Sequence, residues 1–159
     1  MIKEREGLPT HSTESAIFLL YDPNTNRFLL EERRARFEGD QMAGMWVVPA
    51  GKLEPEDYQE SGDHFENALV REIGEEFGVV PQTFYFLFVI DHVTPNNHPY
   101  RSKIYLVTSW NGEVENKENK HEHEWIPLDE AEERASHWLA KEIISKAKEA
   151  IPNLTVGVV

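Results

Sequence analysis

The chain contains no cysteine, so neither disulfides nor thiolate metal sites can hold its fold or carry its chemistry, and a reducing cytoplasm is the compartment expected. It has no apolar run near the roughly 20 residues that span a bilayer. Its first residues, Met1 to Arg5, lack the apolar core of a signal peptide. Positive charge is scarce as well: 16 Lys and Arg stand against 29 Asp and Glu, for a formal net charge of -13. That balance repels polyanions, which argues against membrane surfaces and makes long nucleic acid an unlikely partner. What is present is a 40 % hydrophobic content over 159 residues, enough for one buried core and within the usual size of a single domain.

Polar residues 1–13 show no period and read as a loose arm before one domain covering 1–159. Ser15 to Tyr21 and Arg27 to Glu32 form a strand pair across the turn Asp22-Pro23-Asn24-Thr25-Asn26. A charged loop from Arg33 to Gly44, a short strand Met45 to Pro49 and a second loop, Ala50 to Gly62, follow. Phe65, Leu69, Ile73 and Phe77 recur every fourth residue and predict a helix over His64 to Phe77, capped by Asp63 and ended at Gly78. Two strands rich in β-branched and aromatic residues, Phe84 to Asp91 and Arg101 to Trp110, come next. After the turn at Asn111-Gly112 and a polar loop, Glu122 to Ile126 is a last strand. A final helix begins at Asp129, with Ala131, Ala135, Leu139, Ile143 and Ala147 on one face and Trp138 beside them, packed on the sheet. The element order predicts an α/β fold in which helices sandwich a mixed sheet.

The segment Arg71-Glu72-Ile73-Gly74-Glu75-Glu76-Phe77-Gly78-Val79 carries the chemistry. On a helix, Glu72 neighbours both Glu75 and Glu76, so three carboxylates share one flank while Ile73 and Phe77 face the core. Each like-charged pair costs roughly 0.2–0.5 kcal/mol in an isolated helix, and a hard divalent cation such as magnesium would relieve it. Most glutamate clusters are only a solvated face. This one resembles the second half of the Nudix hydrolase signature, Gly-x5-Glu-x7-Arg-Glu-U-x-Glu-Glu-x-Gly-U with U a bulky aliphatic residue. Its five fixed positions recur by chance in roughly one window per million. Gly44 to Pro55 and Glu124 to Glu130 are similar to the family's flanking segments, so the resemblance runs from about residue 14 to 150.

The resemblance, which is to MutT-like members, implies an α/β/α sandwich of the Nudix fold and a metal-dependent pyrophosphohydrolase. Its substrate would be a nucleoside-diphosphate derivative, with a (d)NTP favoured over nucleotide sugars and ADP-ribose. It assigns Glu72, Glu75, Glu76 and the Ala50 carbonyl to Mg2+, with Mn2+ as the alternative ion, and has Arg71 orient the carboxylates. A further carboxylate from the loop before the last strand is expected at Glu122, ahead of Glu118 and Glu115. Arg34, Trp46 and Arg101 are the expected substrate contacts. In the first half of the signature, the alignment sets Asp63 in place of the glutamate after a six-residue insertion, Glu56 to Ser61. Two other classes stay open: a nucleotide-binding module that keeps the fold without catalysis, and an acidic calcium or interaction protein. The pair His121 and His123 also permits a zinc reading, although no third ligand follows at a recognised spacing. Oligomeric state is not legible.

Overall fold

The computed structural model describes residues 12–157, so most of the expected N-terminal arm lies outside the described residues. Thr13, the last residue assigned to that arm, already belongs to the first strand. The elements run β1 (Thr13–Asp22), β2 (Arg27–Glu32), β3 (Trp46–Val47), β4 (Ala50–Lys52), α1 (Pro55–Gln59), α2 (His64–Phe77), β5 (Val80–Val93), β6 (Pro99–Asn111), β7 (Glu122–Pro127), α3 (Leu128–Arg134) and α4 (Trp138–Gly157).

The sheet is mixed, as expected, with the order β3-β2-β1-β6-β5; β4 pairs with β1, and β7 with β2. Strand β1 lies at its centre, parallel to β6 and antiparallel to β2 and β4. Because side chains alternate across a strand, β1 feeds two cores. Ala16, Phe18 and Leu20 pack against Phe65, Leu69, Ile73 and Phe77 of α2. Ile17 and Leu19 pack on the other face against Ala131 of α3 and Leu139, Ile143 and Ala147 of α4. Both faces are therefore covered by helices, and the apolar β1 run is what that burial requires.

Helix α2 has the predicted bounds. The Asp63 carboxylate accepts from the backbone N–H groups of Phe65 and Glu66, and Gly78 ends the helix at φ 70°, a left-handed cap that suits glycine.

Four expectations are corrected. The loop from Ala50 to Gly62 contains β4 and α1, and the short strand near Met45 narrows to Trp46–Val47. The two long strands extend beyond their aromatic segments, because β5 and β6 stay paired from Val80↔Asn111 to Val93↔Pro99. The final helix is two helices: Ala135 is extended, and Ser136 bonds Trp46 of β3 through both its N–H and its hydroxyl. That break leaves Ala135 buried but rotates Trp138 outward, 46 % exposed. Among the described residues no helix is long and apolar enough to cross a membrane.

Candidate active site

Arg71 ties three elements together at the flank of α2. Its Nε and Nη2 donate to the two carboxylate oxygens of Asp57 at 3.0 and 2.8 Å, and Nη2 also reaches the Lys52 carbonyl at 3.0 Å. Nη1 donates to Glu72 at 2.9 Å and Glu75 at 2.8 Å. Asp57 is nearly fully buried and also receives the Glu54 N–H in a reciprocal cap of α1. Burial acts to raise its pKa, but the Arg71 and Glu54 hydrogen bonds prevail and hold it below the usual carboxylate range. Glu72 is pushed up, chiefly by burial, with Arg71 opposing and the charges of Glu75 and Glu118 adding to the rise.

Asp57 overturns the expected alignment. Residues 52–56 separate it from Gly51, the five-residue spacing of the signature, so Asp57 stands where the glutamate was sought. The surplus follows it: thirteen residues, 58–70, occupy the interval for which the signature has seven. Asp63 caps α2 and lies 3.6 Å from Lys103 instead of supporting Arg71. Counting forward from Gly51 would have found Asp57.

Glu76 departs from its two neighbours. It turns under the helix, where His123 Nε2 lies 3.7 Å from its carboxylate and 3.3 Å from that of Glu31. Burial pushes the Glu76 carboxyl up to about 8, Glu31 adding to the rise and His123 opposing it. Although burial pulls His123 down, its hydrogen bonds to Glu31 and Glu76 lift it to about 9. Glu31 ends below its ordinary range, because those bonds outweigh its own burial. Glu31 escaped the sequence reading, and His123 entered it only in the zinc reading with His121. A signal existed: Glu31 shares the inward face of β2 with Leu29, a place where a strand normally carries an apolar residue.

A divalent cation fits the carboxylates of α2, because hard carboxylate oxygens suit such ions and Arg71 Nη1 holds those of Glu72 and Glu75 together. Ligand atoms of Glu76, Glu31 and His123 also lie within 4.8 Å of one another, with His123 held as a hydrogen-bond donor between the two carboxylates. A Cβ built on Gly51 would fall 2.1 Å from Glu72 Cδ, so the missing side chain at 51 is the space the Glu72 carboxylate occupies. The zinc pairing of His121 with His123 is not formed, since His121 Nδ1 accepts the Arg34 N–H.

A cleft of about 480 Å³ opens on the α4 side, with Ala50, Gly51 and Lys52 on its wall beside Arg33, Arg36, Phe37 and His137. Gly51 thus touches both cleft and Glu72. Arg33 is largely buried; its Nη1 donates to Glu31 at 3.4 Å, and among the described residues its Nε has no hydrogen-bond partner. Asp40 joins the two rims: it accepts from the Arg36 and Met42 N–H groups and from the Asn96 side chain. These bonds, led by that of Asn96, hold it far below the usual range.

The other expected contacts stand elsewhere. Arg34 pairs with Glu122, Arg101 with Asp91, and Trp46 lies under the Arg134 guanidinium at 4.6 Å; none lines the cleft. Glu122 is opposite Glu32 in the β2/β7 register, whereas His123 is opposite Glu31, so Glu122 faces away from the α2 carboxylates. Of the loop carboxylates, Glu118 is the one whose charge is felt at Glu72. The loop is tied to the end of α2 by the Glu115 and Lys117 N–H groups, which donate to the Phe77 and Glu76 carbonyls.

Comparison with known proteins agrees with this geometry. The sequence pattern of the NUDIX domain matches residues 11–147. The chain is 33% identical over 105 residues to an 8-oxo-dGTP diphosphatase of Escherichia coli (strain K12), covering 66% of this chain and 74% of that protein. It is 36% identical over 76 residues to an 8-oxo-dGTP diphosphatase of Proteus vulgaris, covering 48% and 62%. The fold is similar to that of a MutT NUDIX hydrolase from Burkholderia pseudomallei, with TM-score 0.65, 23% identity, and coverage of 86% and 98%. It is also similar to the NUDIX domain of Shewanella oneidensis NrtR complexed with ADP ribose, with TM-score 0.70, 14% identity, and coverage of 94% of each chain. With the domain pattern running through both helix layers and the Arg71 to Glu76 segment lying on helix α2 as the signature requires, the chain belongs to the Nudix hydrolase family.

Proposed function

We propose that the protein is a magnesium-dependent pyrophosphohydrolase that converts a (d)NTP to its monophosphate and pyrophosphate. The observation that carries this reading is Gly51, which lies against the Glu72 carboxylate on one side and lines the cleft on the other. A nucleotide in the cleft would have its phosphates at the edge of the carboxylate cluster. The cleft volume suits one small molecule, within the roughly 300–1,000 Å³ typical of such sites. Because both curated relatives are named for 8-oxo-dGTP, an oxidised purine triphosphate is the first substrate to try.

In this reading Glu72, Glu75, Glu76 and the Ala50 carbonyl hold the divalent ion. The ion would offset phosphate charge and acidify a water. Arg71, locked by Asp57, orients Glu72 and Glu75. Arg33 and Arg36 receive the phosphates; the free Nε of Arg33 is a donor without a partner until an anion arrives. Phe37, 53% exposed at the mouth, offers a face for the base. Glu118 takes the proton of the attacking water, the new P–O bond forms at phosphorus, and pyrophosphate departs. Glu118 replaces Glu122 in this role because its charge reaches Glu72 while Glu122 is turned away.

The test is a panel of the common dNTPs, 8-oxo-dGTP, ADP-ribose and nucleotide sugars, each with Mg2+ and with Mn2+, read as released pyrophosphate or monophosphate. Pyrophosphate from a triphosphate supports the reading. Turnover confined to ADP-ribose or sugars would move the substrate class. Nucleotide binding without any turnover would leave a ligand-binding module.

A further inference from the structure

We propose that His123, anchored by Glu31, is a positioning residue that sets the direction of the Glu76 carboxylate for divalent-cation binding. The inference rests on the reading of Glu76 as a metal ligand.

The register of β2 and β7 sets Glu31 directly opposite His123, on the face that packs against α2. Leu29, two residues earlier on that face, is buried in the α2 core, yet Glu31 at 2 % exposure puts a carboxylate where an apolar side chain would be favourable. Burying a carboxylate is costly unless a partner compensates it. The compensation comes from Arg33 Nη1, 3.4 Å from one carboxylate oxygen, and at the other oxygen from His123 Nε2, which also faces Glu76 from the other side. The ring is fixed by the edge of Phe77, with centroids 4.9 Å apart and planes at 75°. The other ring nitrogen, Nδ1, is buried with no partner among the described residues, a cost that the local fold bears. The ring is thus oriented for what Nε2 touches.

Glu76 leaves the last turn of α2 beside the fully buried Phe77, and His123 is the donor that meets it. Without that donor the Glu76 carboxylate loses the group on β7 that fixes its direction and turns from its present orientation. Hydrogen-bonded partners of metal ligands commonly act this way, and losing one typically weakens metal affinity about 10- to 100-fold. A purely electrostatic role predicts the opposite sign, because deleting a cationic group beside the site would tighten cation binding.

The experiment measures Mn2+ affinity of the free protein by electron paramagnetic resonance, alongside thermal unfolding, for wild type and the variants H123L, H123Q, E31L, E31Q and E76Q. The proposal expects H123L to bind Mn2+ about 10- to 100-fold more weakly. H123Q, whose amide N–H donates from nearly the same place, stays within a few-fold of wild type. E31L should bind more weakly than E31Q, since both lose one negative charge but only E31Q keeps an anchor for the ring; this pair carries the test should H123L not fold. Folded H123L that binds Mn2+ as tightly as wild type, or more tightly, overturns the proposal, as does equal affinity in E31L and E31Q. Unchanged affinity in E76Q overturns the underlying assignment of Glu76 instead, and the inference with it.

Discussion

The Glu72 carboxylate lies where a side chain on Gly51 would have to be, with Cδ 2.1 Å from the position of a Cβ. The clash is with the far end of a flexible side chain, so the fold can yield by rotating Glu72. Gly51→Ala is therefore expected to leave the melting temperature close to wild type while displacing the carboxylate. Misplacing a reacting group by about 1 Å can cost on the order of 100-fold in rate. Turnover and Mn2+ affinity should fall together in a protein that remains folded. Normal turnover in G51A would mean that Glu72 does not act from this position.

Asp57 and Arg71 form a buried two-point pair, which predicts a different phenotype. Asp57→Asn keeps the shape but removes the charge that Arg71 faces, and breaking a buried pair at one end costs about 3–5 kcal/mol. Because the Arg71 side chain keeps 17% of its exposure and retains Glu72 and Glu75, the lower end of that range applies. D57N should unfold at lower denaturant concentration and lose turnover. Asp63→Asn, which alters a helix cap and not this pair, should cost under about 1 kcal/mol and leave kcat near wild type.

These two residues show where the sequence is legible. The bounds of α2 follow from local rules: an apolar stripe at every fourth residue, a carboxylate cap and a left-handed glycine, all within sixteen residues, 63–78. Asp57 was hidden because the cap at Asp63 offered a nearer acid to align. Glu31 with His123, and Arg33 against Arg34, depend on the pairing of strands far apart in sequence. A shift of one residue reverses the face on which a side chain emerges, and composition does not report it. Trp138 was misread because the link to β3 that breaks the final helix is a long-range contact of Ser136.

The carboxyl of Glu76, raised to about 8, makes the metal-free protein sensitive to alkali. A group whose folded pKa exceeds its unfolded value, here about 4.3, stabilises fully below the unfolded value and loses that stabilisation as pH rises through the folded one. His123, raised to about 9, acts with the same sign, its contribution being complete below about 6.5. The melting temperature of the metal-free protein should therefore fall as pH rises from about 5 to about 9, most steeply between about 6.5 and about 8, where both groups lose their stabilisation together. Cation binding through Glu76 must expel its proton, so Mg2+ affinity should rise with pH up to about 8 and level off above. Calorimetry at pH 7 in two buffers of different ionisation enthalpy should count close to one proton released; none released would detach Glu76 from the cation.

Arg33 and Arg34 separate cleanly by mutation. Arg33 lines the cleft with an unpartnered Nε, while Arg34 is engaged with exposed Glu122 and the Asn119 carbonyl. A hydrogen bond to a charged group is worth about 1.5–3 kcal/mol, or about 10- to 150-fold in affinity. Arg33→Ala should raise KM for the triphosphate by that factor, and Arg33→Lys should recover only part of it because lysine lacks the planar fork. Arg34→Ala should leave KM within about two-fold, since an exposed pair contributes about 0–1 kcal/mol. A larger KM effect at Arg34 than at Arg33 would relocate the phosphate.

Glu118 and Glu122 present the same side-chain chemistry four residues apart, and of the two it is Glu118 whose charge adds to the rise at Glu72. The loop that carries Glu118 is fastened to the end of α2 by backbone bonds from Glu115 and Lys117, which brings its charge to bear on Glu72. Glu122 sits on the other face of β7, half-exposed and paired with Arg34. A positioned general base contributes about 100- to 10,000-fold. Glu118→Gln should lose kcat on that scale with KM nearly unchanged, and the acidic limb of its pH–rate profile should flatten, because the group whose ionisation that limb reports is gone. Glu122→Gln should keep both kcat and the limb. If the two variants exchange these behaviours, the loop must turn over when substrate binds, and the carboxylate that receives the water proton is the one on the strand.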